Sequence, residues 1–142
     1  MLTSARNQLN GKITAIQQGA VNDEIEIGLA DGQKVVAIVT HSSTESLGLQ
    51  VGGEAFALVK ASWIILLTDT AGVKLSARNR LDGTVAKVVT GAVNSEVILT
   101  LKDGSEIAAI VTNESVAKLG LAAGKSASAA FKASSVIVGV KA

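Results

Sequence analysis

Ser4-Ala5-Arg6-Asn7 occurs twice in this chain, and its second copy begins 72 residues later at Ser76. The same shift aligns residues 3–70 with residues 75–142 without an insertion or a deletion. An internal repeat of this kind marks a duplicated structural unit. The sequence therefore predicts two domains, at residues 1–70 and 71–142, joined by a short linker around residues 69–74. Further blocks repeat unchanged within these domains, namely Gly19–Asn22, Ala37–Thr40, Leu47–Leu49 and Lys60–Ser62.

The composition is more apolar than two independent small domains would need. Of the 142 residues, 48% are hydrophobic and 18% are charged. A unit of about 60–70 residues buries only about 60% of the surface that its unfolded chain exposes. Large apolar surfaces left over in this way favour association. We therefore expect extensive interfaces between the two halves, between chains, or both.

Several classes of protein are disfavoured by the same sequence. The longest apolar runs, such as Trp63–Leu67, are far shorter than the roughly 18 residues of a membrane span. The N-terminus carries no signal peptide pattern, and the chain has no cysteine for disulfides or thiolate metal sites. A net charge of +1 provides no general field for nucleic acid. Phe56, Trp63 and Phe131 have no aromatic repeat partner on which bases could stack in duplicate. These features predict a cytoplasmic protein that binds neither membrane nor nucleic acid.

Each half reads as three strands, a short helix and two more strands. In both hairpins an Asp-Gly pair, at positions 31–32 and 103–104, predicts a type I′ turn, and Gly11 is a candidate bulge. Ser42 or Ser43 is expected to cap the first helix, which would run through Leu47 and stop at Gly48. This order predicts an all-β protein with one short helix per repeat, built as two tandem OB-fold-like five-stranded β-barrels. The predicted strands are Leu9–Gln18, Glu24–Leu29, Gln33–Thr40, Glu54–Lys60, Trp63–Leu67, Leu81–Thr90, Glu96–Leu101, Ser105–Thr112, Lys125–Lys132 and Ser135–Val140, with the second helix near Glu114–Leu119.

Three chemically suggestive features do not predict a phosphate-binding loop or a catalytic site. Gly120–Ser126 resembles a phosphate-binding loop, but it has three residues between its glycines and follows a helix instead of a strand. His41 is the only histidine and its repeat partner is Asn113, which favours a loop or capping role. Glu24 and its partner Glu96 do repeat, but they are not arranged as a catalytic carboxylate pair.

The polar residues that do repeat are hydrogen-bond donors. Some lie at predicted helix N-termini, and the Gly-Ala-Val-Asn turns expose successive backbone N–H groups; both environments favour an anion. Capping of turns and helices, together with ordinary solvated charges, is the structural alternative. The repeated set predicts a donor-lined pocket for a small anion, present at least twice per chain. In the first half its members are Ser4, Arg6, Asn7, Thr40, Ser43, Lys60 and Ser62.

Taken together, the Ser-Ala-Arg-Asn, Gly-Ala-Val-Asn, Leu-Gly-Leu and Lys-Ala motifs resemble the Mop domain of molybdate-binding proteins, the molbindins. The resemblance covers nearly the whole chain twice. It implies OB-like barrels that assemble as six Mop units, which for a two-unit chain means a homotrimer. It also implies non-enzymatic binding of molybdate or tungstate for intracellular storage and homeostasis. The alternative is a molybdate-sensing regulatory or oligomerisation module that acts through a protein partner. Candidate partners are proteins of molybdenum-cofactor or nitrogenase-cofactor biosynthesis.

The same resemblance implies which residues would bind the oxyanion, with no protein atom bonded directly to the metal. An acceptor-only dianion suits a pocket of donors, whereas hydrogen phosphate carries a proton that would lack an acceptor. The first interface site would use Ser4, Arg6, Asn7 and Lys60, with Thr40 and Ser43 from a neighbouring unit. The second would use Ser76, Arg78, Asn79, Lys132, Thr112 and Ser115. Additional oxyanion sites are expected at the turns containing Ala20, Val21, Asn22, Ala92, Val93 and Asn94.

Overall fold

A computed structural model describes residues 1–141, so that Ala142, the last residue of the predicted second domain, lies outside the described residues. The prediction of an all-β protein with one short helix per repeat is confirmed. Short 3-10 turns at Ala61–Trp63 and Ala133–Ser135 precede the last strand of each half. The elements are β1 (Asn7–Gln18), β2 (Asn22–Gly28), β3 (Lys34–Thr40), α1 (His41–Ser46), β4 (Glu54–Val59), β5 (Ile65–Leu67), β6 (Asn79–Thr90), β7 (Asn94–Thr100), β8 (Glu106–Thr112), α2 (Asn113–Leu119), β9 (Ser126–Phe131) and β10 (Ile137–Gly139).

The ten strands form two five-stranded sheets, but the halves exchange their last strands. The strand orders are β10-β4-β1-β2-β3 and β5-β9-β6-β7-β8. In the exchanged pairs, Ile137 lies opposite Leu58 and Ile65 lies opposite Ala130. Each 3-10 turn leads the chain away from the strand before it, so the next strand joins the sheet of the other half. The division into residues 1–70 and 71–142 thus follows the sequence repeat, whereas each sheet contains strands from both units.

The long first strand of each half is irregular, but not at the predicted position. The pairing of β1 with β2 shifts register between Ile13 and Ala15, so the bulge expected at Gly11 is wrong. Gly11 instead lies against the neighbouring backbone, where an added Cβ would be 2.2 Å from the Gly28 carbonyl oxygen. The glycine therefore permits close approach of two chain segments, which is the other common use of glycine within a strand.

The β2–β3 hairpin does not have the predicted type I′ turn. That turn needs positive φ at both central residues, and Asp69 is the only non-glycine residue with positive φ in the described chain. Leu29 N–H donates to Gln33 O at 2.8 Å, which leaves a three-residue loop that ends at Gly32 with φ of +88°. Three-residue hairpin loops commonly place glycine at that left-handed position, and Gly104 has the same φ in the second half.

Both helices are capped by the threonine that ends the preceding strand. Thr40 Oγ1 accepts from Ser43 N–H at 3.1 Å, so the predicted cap at Ser42 or Ser43 is wrong by two or three positions. Thr112 makes the equivalent contact with Ser115 N–H at 3.1 Å. Gly48 follows the first helix with φ of +63°, in agreement with the prediction. The caps place two repeated hydroxyl pairs at the ends of β3 and β8.

The buried apolar side chains form one core that includes residues of both halves. Along β2 and β3 the buried positions alternate with less buried ones, as expected for a sheet with one face on the core. Some apolar residues stay outside this core at repeated positions: Ile65 and Ile137 at the exchanged strands, and Val21 and Val93 at the β1–β2 and β6–β7 turns. The expected large interface between the halves is confirmed. Within residues 1–141, no helix has the length and apolar composition needed to cross a membrane.

Candidate functional site

The two Ser-Ala-Arg-Asn motifs lie where the two halves meet. Each motif ends at the first residue of a long strand, β1 or β6. In both copies the serine is exposed and the asparagine is buried, with Asn7 1% and Asn79 0% exposed. The motif therefore combines one accessible hydroxyl with one side chain that cannot reach solvent.

The buried asparagines bind the backbone of the opposite half. Asn7 Oδ1 accepts from Ala108 N–H at 2.7 Å, while its Nδ2 donates to the Ala108 and Val59 carbonyls at 2.8 and 3.2 Å. Asn79 Oδ1 likewise accepts from Val36 N–H, and its Nδ2 donates to the Val36 carbonyl, both at 2.7 Å. Within the chain, these amides join β1 to β8 and β6 to β3, as backbone pairing would. The polar groups that were expected to face a ligand are occupied here.

The motif arginines also reach across to the other half. Arg78 binds Glu24 through two nitrogens, with Nη1–Oε1 at 2.5 Å and Nη2–Oε2 at 3.2 Å. Arg6 forms the equivalent ion pair with Glu96. The hydrogen bonds and charge of Glu24 raise the pKa of Arg78 above its ordinary value. The repeated glutamates are thus the partners of the repeated arginines, a role that the sequence alone did not indicate.

The threonine and serine at each helix N-terminus form a local hydroxyl pair. Thr40 Oγ1 and Ser43 Oγ are 2.7 Å apart, and Thr112 Oγ1 donates to Ser115 Oγ at 2.9 Å. The second pair lines a surface cleft together with Asn94 and with Ser62 from the first half. We refer to this as the Ser62 cleft. It brings hydroxyl and amide groups of the two repeats together, but it contains none of the serines, arginines or lysines with which this pair was predicted to bind the oxyanion.

A second cleft contains Ser76 and Lys132 from the second half and Trp63 from the first half. We refer to it as the Trp63 cleft. Trp63 is 51% exposed, and the Lys60 ammonium lies 5.7 Å from the centre of its ring. Both lysines are exposed, and within residues 1–141 neither forms an ion pair. Lys60 and Lys132 are therefore the repeated cations whose charge is not offset by a carboxylate of residues 1–141.

The Gly-Ala-Val-Asn turns expose their side chains, while part of their backbone is already bonded. Val21 O accepts from His41 N–H at 2.8 Å, and Val93 O accepts from Asn113 N–H at 2.9 Å. Each turn is thereby tied to the start of a helix. The predicted residues Ala20, Val21, Asn22, Ala92, Val93 and Asn94 are all exposed.

His41 takes part in a polar cluster that exists only in the first half. Its Nδ1 lies 3.0 Å from Asp23 Oδ2, and its Nε2 lies 3.0 Å from Glu45 Oε1. The hydrogen bond to buried Asp23 raises the pKa of His41. A hydrogen bond from Thr44, followed by those from His41 and Gly19, lowers the pKa of Asp23. His41 thus has the structural role expected from its asparagine counterpart.

Two other sequence features are also structural. Lys125, within the stretch that resembles a phosphate-binding loop, donates to the Leu119 carbonyl at 2.7 Å and so caps α2. No group of three His, Cys, Asp or Glu side chains within residues 1–141 is placed to hold a metal ion. Any anion at these clefts would therefore meet hydroxyls, amides and ammonium groups.

The fold and the repeated contacts define a tandem protein of two OB-like barrels that are interlocked through exchanged strands. The chain belongs to the TOBE domain family, whose domain model matches residues 3–66 and again residues 75–138. The resemblance stated from the motifs is confirmed by this match and by the relatives described next.

Relatives of the chain are named for molybdenum. It is 45% identical over 138 residues to the molybdenum-pterin-binding protein MopA of Rhodobacter capsulatus, covering 97% of this chain and 52% of that protein. It is 45% identical over 141 residues to the molybdenum transport protein ModE of Herbaspirillum seropedicae, covering 99% and 52%. The chain thus spans about half the length of the curated relatives it matches.

One solved structure matches at full length. It is the cytoplasmic molybdate-binding protein ModG, crystallised with molybdate bound. The two chains are 53% identical with a TM-score of 0.96, and the match covers 99% of this chain and 100% of that one.

Proposed function

We propose that this chain binds molybdate, with tungstate as an equivalent ligand, and that it does so without catalysis. The observation that carries the proposal is the full-length match, at 53% identity and a TM-score of 0.96, to a protein crystallised with molybdate. The duplicated hydroxyl, amide and ammonium donors support it from the chemistry of the chain itself.

The donors indicate how each site is assembled. Ser76 and Lys132 line the Trp63 cleft, whereas Thr112 and Ser115 line the Ser62 cleft. We propose that a neighbouring chain brings a threonine–serine pair to each serine–lysine pair. The interface sites would then combine Ser4 and Lys60, or Ser76 and Lys132, with a hydroxyl pair from another unit.

The remaining motif residues support the site in this proposal instead of carrying its charge. Asn7 and Asn79 use their side chains to fix the motif on the opposite half. Arg6 and Arg78 are already paired with Glu96 and Glu24, and each glutamate offsets part of the attraction of its arginine for a dianion. The two lysines then supply the positive charge that no carboxylate of the described residues offsets. The arginines present the guanidinium nitrogens that their glutamates do not bind.

The oxyanion chemistry fits such a set. Molybdate is a tetrahedral dianion whose oxygens only accept hydrogen bonds at neutral pH, and charged donors strengthen such bonds. Hydrogen phosphate would place a proton against donors, and an unpaired buried polar group costs about 1–3 kcal/mol. Sulfate would be discriminated by its smaller size, whereas tungstate would not be.

The assembly proposed is a trimer of chains, which presents six barrels, located in the cytoplasm and serving storage and homeostasis of the oxyanion. Exposed apolar residues at repeated positions, Ile65 with Ile137 and Val21 with Val93, are the surfaces that such an assembly would bury. The turns that contain the two valines are the proposed additional oxyanion sites. Proteins of molybdenum-cofactor or nitrogenase-cofactor biosynthesis are the proposed recipients. The regulatory alternative is not favoured, since the full-length match is to a molybdate-binding protein.

Titration of Trp63 fluorescence and calorimetry test the proposal together, because the only tryptophan lies beside Lys60 and in the cleft with Lys132. We expect saturable binding of molybdate and tungstate, and weak or no binding of sulfate and phosphate. The double variant Lys60→Met with Lys132→Met should lose most of this binding, while Lys102→Met, at an exposed position outside the clefts, should retain it. Absence of saturable molybdate binding by the unmodified chain would refute the function. Unchanged binding by the double variant would refute the assigned lysines.

A further inference from the structure

The two copies of the serine–lysine pair have different surroundings. Ser4 and Lys60 correspond to Ser76 and Lys132 across the repeat, but Trp63 corresponds to Ser135. Both Trp63 and Ser135 line the Trp63 cleft. The repeat therefore places an indole at position 63 and a serine hydroxyl at the equivalent position 135. The two serine–lysine pairs consequently differ in their neighbours.

Trp63 is close to both lysines, but in different ways. Lys60 precedes it by three residues, and its ammonium lies 5.7 Å from the ring centre, within range of a cation–π contact. Lys132 comes from the other half. It lines the same cleft as Trp63, and both residues lie two positions beyond the pair formed by Ile65 and Ala130. Lys132 itself is followed three residues later by Ser135, which offers no ring.

The side chains beside the two serine–lysine pairs differ as well. The Trp63 cleft is lined by Leu75 and Phe131, whose repeat counterparts beside Ser4 and Lys60 are Thr3 and Val59. The side chains beside Lys132 therefore carry more apolar surface than those beside Lys60, while Lys132 itself stays exposed. Attraction between an ammonium group and a dianion is stronger where the surroundings are less polarisable than water.

We propose that Trp63 makes the two oxyanion sites of each chain non-equivalent, with the site at Ser76 and Lys132 binding more tightly than the site at Ser4 and Lys60. The inference rests on the proposed function. Lys60 must give up part of its contact with the indole when it turns to the ligand, whereas Lys132 does not. A cation–π contact at an exposed position corresponds to about a two- to fivefold difference in affinity, and the apolar walls of the Lys132 site act in the same direction.

Calorimetric titration of the full chain with molybdate tests this inference through two matched variants. Lys60→Met leaves the Lys132 site intact, and Lys132→Met leaves the Lys60 site intact. We expect the remaining site to bind about two- to fivefold more tightly in Lys60→Met than in Lys132→Met. Introducing Trp63→Ser into both variants should reduce this difference, since Lys60 then has no ring to leave.

The outcomes separate the inference from the function on which it rests. Equal affinities in the two lysine variants, or a difference that Trp63→Ser does not change, would overturn the inference while leaving molybdate binding in place. No binding by the unmodified chain would overturn the proposed function and the inference with it. If Trp63→Ser does not fold, Ser135→Trp provides the reciprocal test, because a ring three residues after Lys132 should weaken the tighter site.

Discussion

The two halves of this chain are alike in the contacts that their Ser-Ala-Arg-Asn motifs make across the joint, and they differ in one polar contact within each half. Asn7 and Asn79 bind the opposite backbone in the same way, and both motif arginines bind a repeated glutamate. By contrast, the Asp23–His41 contact of the first half is replaced by Ser95 and Asn113 in the second, whose Oγ and Oδ1 atoms are 2.5 Å apart. The motif contacts across the joint are thus present in both copies, whereas an internal contact differs between halves that otherwise fold alike.

The largest loss of stability is expected from removing one of the two buried asparagines, Asn7 or Asn79, that join the halves. Asn7→Ala would leave the N–H and C=O of buried Ala108 without their side-chain partner, and Asn79→Ala would do the same to the half-buried Val36. Each buried backbone group left unpaired costs about 1–3 kcal/mol of unfolding free energy. Urea denaturation should show losses of similar size for the two variants.

The control for these variants is Asn10→Ala, because Asn10 is exposed and should cost no more than about 0.5 kcal/mol. If only one of the two joint variants is destabilised, the halves are not held symmetrically.

An intermediate effect is expected where the exchanged strands pack differently in the two sheets. Phe56 lies opposite Gly139 in one sheet, whereas Ser128 lies opposite Leu67 in the other. A Cβ at Gly139 would be 2.3 Å from the Phe56 ring, so Gly139→Leu should cost about 1–3 kcal/mol by overpacking. Adding Phe56→Ser, which copies the other sheet, should restore most of the loss in a double-mutant cycle. If the losses of unfolding free energy from the two substitutions simply add, positions 56 and 139 do not interact through packing.

The polar cluster of the first half predicts a pH dependence of stability that its counterpart, Ser95 with Asn113, lacks. Because the pKa of His41 is raised, its contribution to stability is complete below about pH 6.5 and is lost as pH rises through the folded-state value. Because the pKa of Asp23 is lowered, its contribution is present above about pH 4 and is lost as pH falls further.

His41→Asn, which copies the second half, should therefore reduce the free energy of unfolding most near pH 5–6 and least above pH 8. Thermal unfolding across this range measures the difference. Asn113→Ala is the control, and its cost should not change with pH. A His41→Asn cost that is flat with pH would contradict the assigned ion pair.

The smallest effect is expected from the two arginine–glutamate pairs, since the arginine of each pair is about half exposed to solvent. Glu24→Gln and Glu96→Gln should each cost less than about 1 kcal/mol. This cost should shrink further in 1 M salt, where the Debye length is only about 3 Å. Chemical denaturation with urea at low and high salt is suitable. A cost that salt does not change would indicate that the pair is held by packing instead of charge.

The repeat and the order of elements were enough to predict the barrel class, the number of strands and the helix positions. The exchange of β5 and β10 was not predictable, because each strand is three residues long and its apolar pattern fits either sheet. The predicted type I′ turn was wrong because Asp31-Gly32 also suits a three-residue loop in which only Gly32 has positive φ.

The candidate site was predictable only as a set of residue types. The sequence shows that Asn7 can donate hydrogen bonds, but not that its partner Ala108 is 101 positions away. Glu24 and Glu96 repeat as visibly as the arginines they bind, yet no local pattern links them. The assignment of oxyanion ligands stays a prediction for every residue of the set. The serines, threonines and lysines lie at the surface or in the two clefts, whereas the asparagines and arginines are already bonded across the joint.

The exchange of last strands has a consequence for how such a protein can be divided. A fragment ending before residue 70 would keep β5 but lack β10, the strand that pairs with its own β4. Such a fragment can complete its sheet only by finding a second copy, whereas the tandem chain carries that copy on a short tether at high effective concentration. The chain is therefore equivalent to a strand-swapped dimer whose two subunits have been fused. If the linker were cut, folding of each half would depend on association with another half, and so on protein concentration.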